Sequence, residues 1–151
     1  MKPNAKLISA TDDLELLARQ INSASWSPEN EMDDDEFTAA SLNLYLADQS
    51  NVLVVAYIEN RFAGLASGSI REKPYPNSRW LYVDEVDVTA DYRRQGVGKA
   101  MMNTLLRLAT EQSCCELWLG TEHDNSAAQA LYNSLKPLEV ESFVGFTYKL
   151  R

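Results

Sequence analysis

Leu14, Leu17, Ala18 and Ile21 fall on one helical stripe, which predicts a helix capped by Thr11, Asp12 or Asp13. A short strand over Lys6–Ser9 is expected before it. Phe37, Ala40, Leu44 and Ala47 carry a second stripe, and that helix is expected to start within the acidic run Glu29–Glu36. Val52–Ile58 is the longest uninterrupted apolar run; with Arg61–Ile70 it reads as a hairpin turning at Glu59-Asn60. Gly64 and Gly68 interrupt the second of these strands, as bulge or close-packing positions. Prolines mark Lys73–Ser78 as a loop, and Trp80–Val88 returns as a strand. Val97–Gln112 is the clearest helix, with Val97, Met101, Leu105 and Leu108 on one face. A strand over Glu116–Gly120 and a helix over Asn125–Leu135, capped by Asp124 or Asn125, come next. Two further extended pieces flank Gly145 between Glu139 and Leu150. The sum is an α+β protein, a mixed and largely antiparallel sheet with helices on its faces.

Composition narrows the class. The 151 residues fit one domain, and at 45% hydrophobic and 24% charged they can fill a core, which excludes a largely disordered chain. A chain of this size buries roughly 70% of its unfolded surface, so it needs no metal or disulfide staple. The seven residues of Val52–Ile58 are far short of the roughly 20 needed to cross a bilayer. Lys2 and Lys6 have no apolar stretch behind them, so no secretory signal is read and a cytoplasmic location is expected. Fourteen basic residues against 22 acidic leave a charge of −8, which repels nucleic acid and anionic lipid and favours a cationic small molecule or basic peptide. The run Glu29–Glu36 holds six acids in eight residues; it reads either as a favourable first helical turn or as a rim attracting a cation. Cys114 and Cys115 are adjacent and His123 is the single histidine, so a zinc site is not expected and the cysteines read as buried thiols opening a strand.

Chemistry concentrates at Val86–Ala100. A strand ends, a polar loop follows, and Gly96 and Gly98 open a strong helix. Such a junction leaves helix N–H groups unpaired and pointing one way, and with the helix dipole they form an anion site. Glycines keep side chains out of its way, while Arg93, Arg94 and Lys99 add positive charge. The stretch has neither the Gly-Lys-Ser/Thr ending of a nucleotide P-loop nor the three-glycine dinucleotide fingerprint.

Arg93-Arg94-Gln95-Gly96-Val97-Gly98 resembles the Arg/Gln-x-x-Gly-x-Gly/Ala signature of the GNAT superfamily, the acetyl-CoA-dependent N-acetyltransferases. Val86-Asp87-Val88 resembles that family's fourth strand, and Asn125-Ser126-Ala127-Ala128-Gln129-Ala130-Leu131-Tyr132 its Asn-x-x-Ala-x-x-Leu-Tyr helix. The matching motifs cover Trp80–Leu135, and the order of elements agrees along nearly the whole chain. The resemblance implies a single GNAT domain over residues 1–151, with roughly six to seven strands and about four helices. It places acetyl-CoA in a V-shaped opening between the strand ending at Val88 and the strand around Leu117. Val86, Asp87 and Val88 would then serve the pantetheine arm, and Arg93, Arg94, Gln95, Gly96, Val97, Gly98 and Lys99 the pyrophosphate. Asn125 and Tyr132, nearly two helical turns apart, would face the cofactor, with Tyr132 as general acid for the departing thiolate.

An attacking amine also needs a base. Glu85 and Asp87 alternate onto one face, opposite Val86. Glu85 stands where many GNAT enzymes have an acidic residue, so it is the expected base; Asp84 and Asp87 would attract a cationic acceptor. Two positions depart from the family pattern: Lys136-Pro137-Leu138 replaces a usual Gly-Phe pair, and Ala90 a frequent proline. The expected activity is acetyl transfer to a primary amine, aminoglycoside- or polyamine-like, by direct attack in a ternary complex, with no metal and with a homodimer as one possible assembly. A protein or peptide amine is the alternative acceptor. A non-catalytic acyl-CoA-binding module is the rival from another class, and a nucleotide-binding protein is the third reading.

Overall fold

The computed structural model describes residues 2–26 and 36–151. One compact unit extends to Gly120 and a second spans Thr121–Arg151. The first holds β1 (Asn4–Leu7), α1 (Leu14–Ser23), α2 (Ala39–Ala47), β2 (Asn51–Ile58), β3 (Arg61–Glu72), β4 (Arg79–Val88), α3 (Val97–Glu111) and β5 (Glu116–Trp118); the second holds α4 (Ser126–Ser134). The strands form one sheet in the order β1-β2-β3-β4-β5. Every neighbouring pair is antiparallel except β4 and β5, which run parallel. No helix among the described residues is long and apolar enough to cross a membrane.

Local chemistry sets the bounds. Asp13 caps α1, its carboxylate accepting from Leu16 N–H at 3.0 Å. Thr38 and Ser41 close a capping box, so α2 begins at Ala39 and not within the acidic run. All of that run but Glu36 lies outside the described residues. β1 ends two residues earlier than expected, because Ser9 N–H turns to the Asp12 carboxylate at 2.8 Å. Glu59 and Asn60 both have positive φ, the backbone of a two-residue hairpin turn that matches strand twist.

Two expectations are corrected. The described residues form five strands, not six or seven, because Glu139–Leu150 is in neither helix nor strand. Alternating apolar residues make a strand only where a neighbouring strand takes up the backbone hydrogen bonds, and residues 139–150 form no strand pairing among the described residues. The cysteines are not a buried pair: Cys114 is half-buried and Cys115 exposed, and both are free thiols.

The sheet separates two apolar layers. On one face Leu53, Val55 and Leu65 pack with Leu14, Leu17, Ile21 and Leu42 of α1 and α2. Alternation turns Val54, Ala56, Gly64 and Ala66 to the other face, where α3 lies. Each fully buried aliphatic side chain contributes roughly 1.5–3 kcal/mol. Gly64 is what lets α3 settle on the sheet: a Cβ there would stand 2.8 Å from the Asp87 carbonyl, 2.9 Å from Met101 Cε and 3.1 Å from Val97 Cγ1.

Gly64→Ala is therefore predicted to lower stability by about 1–3 kcal/mol. Urea unfolding should show a reduced midpoint at unchanged slope. An unaltered midpoint would mean that Met101 moves aside freely, and that Gly64 does not hold α3 in place.

Candidate active site

β4 pairs with β5 only over Trp80–Tyr82, against Glu116–Trp118. β4 then runs on to Val88 while β5 stops, so the outer edge of Val83–Val88 has no strand partner among the described residues. Its inner edge stays paired with β3 up to Gly64↔Val88. Thr89 N–H bonds the Ala63 carbonyl at 2.9 Å, so peptide groups at 89, 87 and 85 point toward β3. Alternation turns those of Val86 and Val88 to the open side. An open strand edge with outward N–H and C=O groups accepts an extended amide-bearing chain as an added strand.

This edge leads straight into the anion site. Buried Thr89 and a 3₁₀ turn, Ala90–Tyr92, connect it to a loop in which Arg94 (φ 62°) and Gly96 (φ 81°) are left-handed. Gln95 Nε2 donates to the Asp91 carbonyl at 3.3 Å. Among the described α-helices α3 alone lacks a side-chain cap; Asp13, Thr38 and Asn125 cap the other three. The first backbone bond inside α3 is Ala100 N–H to the Gly96 carbonyl at 3.0 Å, so Val97, Gly98 and Lys99 N–H lie ahead of any helical acceptor. Arg94, Gln95, Gly96 and Lys99 are exposed around this end, whereas the Val97 side chain is buried beneath it. A diphosphate joined to an amide-bearing arm fits a surface of this kind.

The acids divide differently. Ser67 pairs with Glu85 but Gly68 with Val83, so Asp84 is the extra residue of a bulge in β4. Strict alternation from Leu81 and Val83 would send Glu85 toward α3. The bulge instead sets it on the face of Trp80, Tyr82 and Asp87. Asp84 and Glu85 are exposed and Asp87 is half-buried. Burial raises the Asp87 pKa above the ordinary carboxylate value, and Arg93 opposes the shift. Arg93, half-buried, thus has its charge beside Asp87 within the same unit.

Two features of this face carry sequence signals that the motif reading passed over. Trp80 and Tyr82 alternate on β4 and stack at 5.7 Å, with Trp118 6.3 Å from Tyr82. Lys73 Nζ stands 4.6 Å over Trp80, and the Arg71 guanidinium 4.9 Å over Tyr82. These ring faces hold cations. Tyr45 of α2 reaches the sheet where Gly68 is paired: its hydroxyl lies 2.9 Å from the Val52 carbonyl and 2.8 Å from the Gly68 carbonyl, and accepts from Gly68 N–H at 3.2 Å. Burial raises the Tyr45 pKa, the bonds at Gly68 and Val52 oppose this, and Asp84 and Glu85 raise it further. The phenol therefore stays protonated at neutral pH.

In the second unit, Asn125 caps α4, its Oδ1 accepting from Ala128 N–H at 3.1 Å. Tyr132 is half-buried on the same helix. The Asn125 side-chain oxygen is thus committed to the helix, and its amide N–H groups are what it can offer a ligand.

A testable consequence follows from Asp87. Its raised pKa means that the folded state pays for the charge, so its contribution to stability is present below the unfolded value near 3.9 and lost as pH rises through the folded value. Asp87→Asn should therefore gain stability relative to the parent between about pH 3 and pH 7. Thermal unfolding at both pH values checks this; a relative loss at pH 7 would show that the attraction to Arg93 outweighs burial.

Comparison with known proteins agrees with this architecture. Residues 16–136 match the Acetyltransferase (GNAT) family. N-acetyltransferase 8 of Homo sapiens is 30% identical over 91 residues, 60% of this chain and 40% of that protein. The ribosomal protein bS18-alanine N-acetyltransferase of Escherichia coli (strain K12) is 40% identical over 50 residues, 33% of this chain and 34% of that one. The chain spans less than half the length of these curated relatives. The crystal structure of the aminoglycoside acetyltransferase meta-AAC0020, from an uncultured soil metagenomic sample and in complex with trehalose, has a TM-score of 0.85 at 23% identity, covering 99% of this chain and 97% of that chain. AAC(6')-Iy in complex with the bisubstrate analog CoA-S-monomethyl-acetylneamine has a TM-score of 0.75 at 18% identity, covering 99% and 100%. At these identities the structural likeness shows the fold. With the family match extending over most of the chain and onto this sheet, the protein belongs to the GNAT acetyltransferase family.

Proposed function

We propose that the protein transfers an acetyl group from acetyl-CoA to a primary amine of a cationic small molecule. The observation that carries this reading is the open edge of β4 running into the uncapped end of α3. Outward peptide groups of Val86 and Val88 suit the amides of a pantetheine arm, and the N–H groups of Val97, Gly98 and Lys99 suit a pyrophosphate. Arg94 and Lys99 add charge at that end, Gln95 and Gly96 shape the loop, and the charge of Arg93 acts on Asp87. When bound, acetyl-CoA supplies an acyl carbon activated by its thioester.

The chain's own groups then move protons. Glu85, exposed on the face of the aromatic strip, accepts the proton the amine gives up as nitrogen bonds the acyl carbon, directly or through water. Tyr132 is the candidate acid that gives its hydroxyl proton to the departing sulfur, on the strength of the family motif. Asp84 and Asp87 favour a cationic acceptor. Aminoglycoside acetyltransferases among the structural neighbours support a polyamine-like molecule. The ribosomal protein bS18-alanine N-acetyltransferase supports a second reading, a peptide amine.

Thiol release from acetyl-CoA across aminoglycosides, polyamines, amino acids and basic peptides tests both readings. Release is expected with a polycationic amine. Tyr132→Phe and Glu85→Gln should each lower kcat by about 10²-fold or more, while calorimetry shows CoA binding retained. Release only with peptides would select the second reading. CoA binding without release would indicate a binding module, and no CoA binding would sink the proposal altogether.

A further inference from the structure

We propose that Tyr45 is the positioning residue for Glu85: its hydroxyl, seated on the peptide groups of Gly68, fixes the bulge that sets Glu85, and not Asp84, opposite Ser67. The inference rests on the reading of Glu85 as base, and every residue in it belongs to the unit ending at Gly120. Between the pairs Gly68↔Val83 and Leu65↔Asp87, three residues of β4 face two of β3. With Asp84 as the extra residue, Ser67 pairs with Glu85 and Ala66 with Val86. Were Glu85 or Val86 the extra residue, Asp84 would stand opposite Ser67; with Val86 extra, Glu85 would turn toward α3. Two adjacent exposed acids give β4 no local reason to prefer one arrangement. The choice has to be made from outside the strand.

Tyr45 supplies that constraint. Its half-buried ring comes from α2 and packs on the sheet face of Leu53 and Leu65, the face that Ser67 and Glu85 share by alternation. The hydroxyl lies 2.8 Å from the Gly68 carbonyl and 2.9 Å from that of Val52, and it accepts from Gly68 N–H at 3.2 Å. Its single proton serves one carbonyl at a time. The Tyr45 carbonyl accepts from Asn51 Nδ2 at 2.9 Å, so both backbone and side chain of Tyr45 are tied to the sheet. Toward β4 Gly68 has no room to move: a Cβ there would stand 2.4 Å from the Tyr82 carbonyl oxygen and 3.2 Å from Val83 Cα. Gly68 is thus held from both sides, in the row next to the extra residue. After burial, the charges of Asp84 and Glu85 raise the Tyr45 pKa, so both carboxylates lie within electrostatic reach of this hydroxyl.

Tyr45→Phe keeps the ring and removes only the hydroxyl. Amide hydrogen exchange followed by NMR on the free protein needs no acceptor. Exchange at Gly68 and Glu85 should quicken about tenfold in the variant, with Val54 in the middle of β2 unchanged. In thiol release with neomycin and with spermine, Tyr45→Phe should lower kcat about tenfold at unchanged KM for acetyl-CoA. In a Glu85→Gln background it should lower kcat no further, because the group it positions is already gone. Unaltered exchange at Glu85 overturns the proposal. So does an equal loss of kcat in both backgrounds, which would make Tyr45 a general structural residue. Glu85→Gln as active as the parent would overturn the reading of Glu85 as base, and the exchange rates would then judge the bulge on their own.

Discussion

Much of this structure turns on the unequal treatment of the two edges of β4. Its inner edge is bonded to β3 along almost its whole length, while its outer edge meets β5 over three residues and is then open. Backbone N–H and C=O groups that have no strand partner must find another acceptor or donor. A parallel neighbour that stops short creates a slot with the hydrogen-bonding pattern of a missing strand. The fold can hold this slot open because the rest of β4 is anchored: Leu81 and Val83 are buried, and β3 supplies an unbroken neighbour apart from the bulge.

Close packing then brings the positive end of α3 to the same place. Gly64 lets Val97 and Met101 approach the sheet beside the Asp87 carbonyl, so the end of the strand and the start of the helix share one small region. The absent cap on α3 has a clear physical sense there. A side chain at the cap would satisfy the N–H groups internally, whereas Gly96 in a left-handed conformation leaves them to a ligand. On a chain of net charge −8, a helix terminus flanked by Arg94 and Lys99 is a local exception to the repulsion of anions.

Edges also organise the ends of the chain. The sheet finishes on the three-residue strand β5, too short to template another chain over any length. The alternating segment after α4 forms no strand among the described residues.

The sequence by itself determined the order of elements, the helix–strand alternation, the hairpin at Glu59-Asn60 and the glycine-opened helix after Val88. These are local: periodicity, turn chemistry and glycine each act within a few residues. It also carried the GNAT signature, because that motif is a contiguous stretch of backbone-directed residues. Tertiary structure decided the rest. The face on which Glu85 stands depends on the bulge at Asp84, and a bulge is a mismatch between two strands that neither strand states alone. The start of α2 depended on a Thr38–Ser41 capping box in place of a run of acids. The approach of Tyr45 to Gly68 joins residues 23 apart in sequence. Whether 139–150 becomes a strand could not be read from its alternation, because a strand exists only where another strand completes its hydrogen bonds.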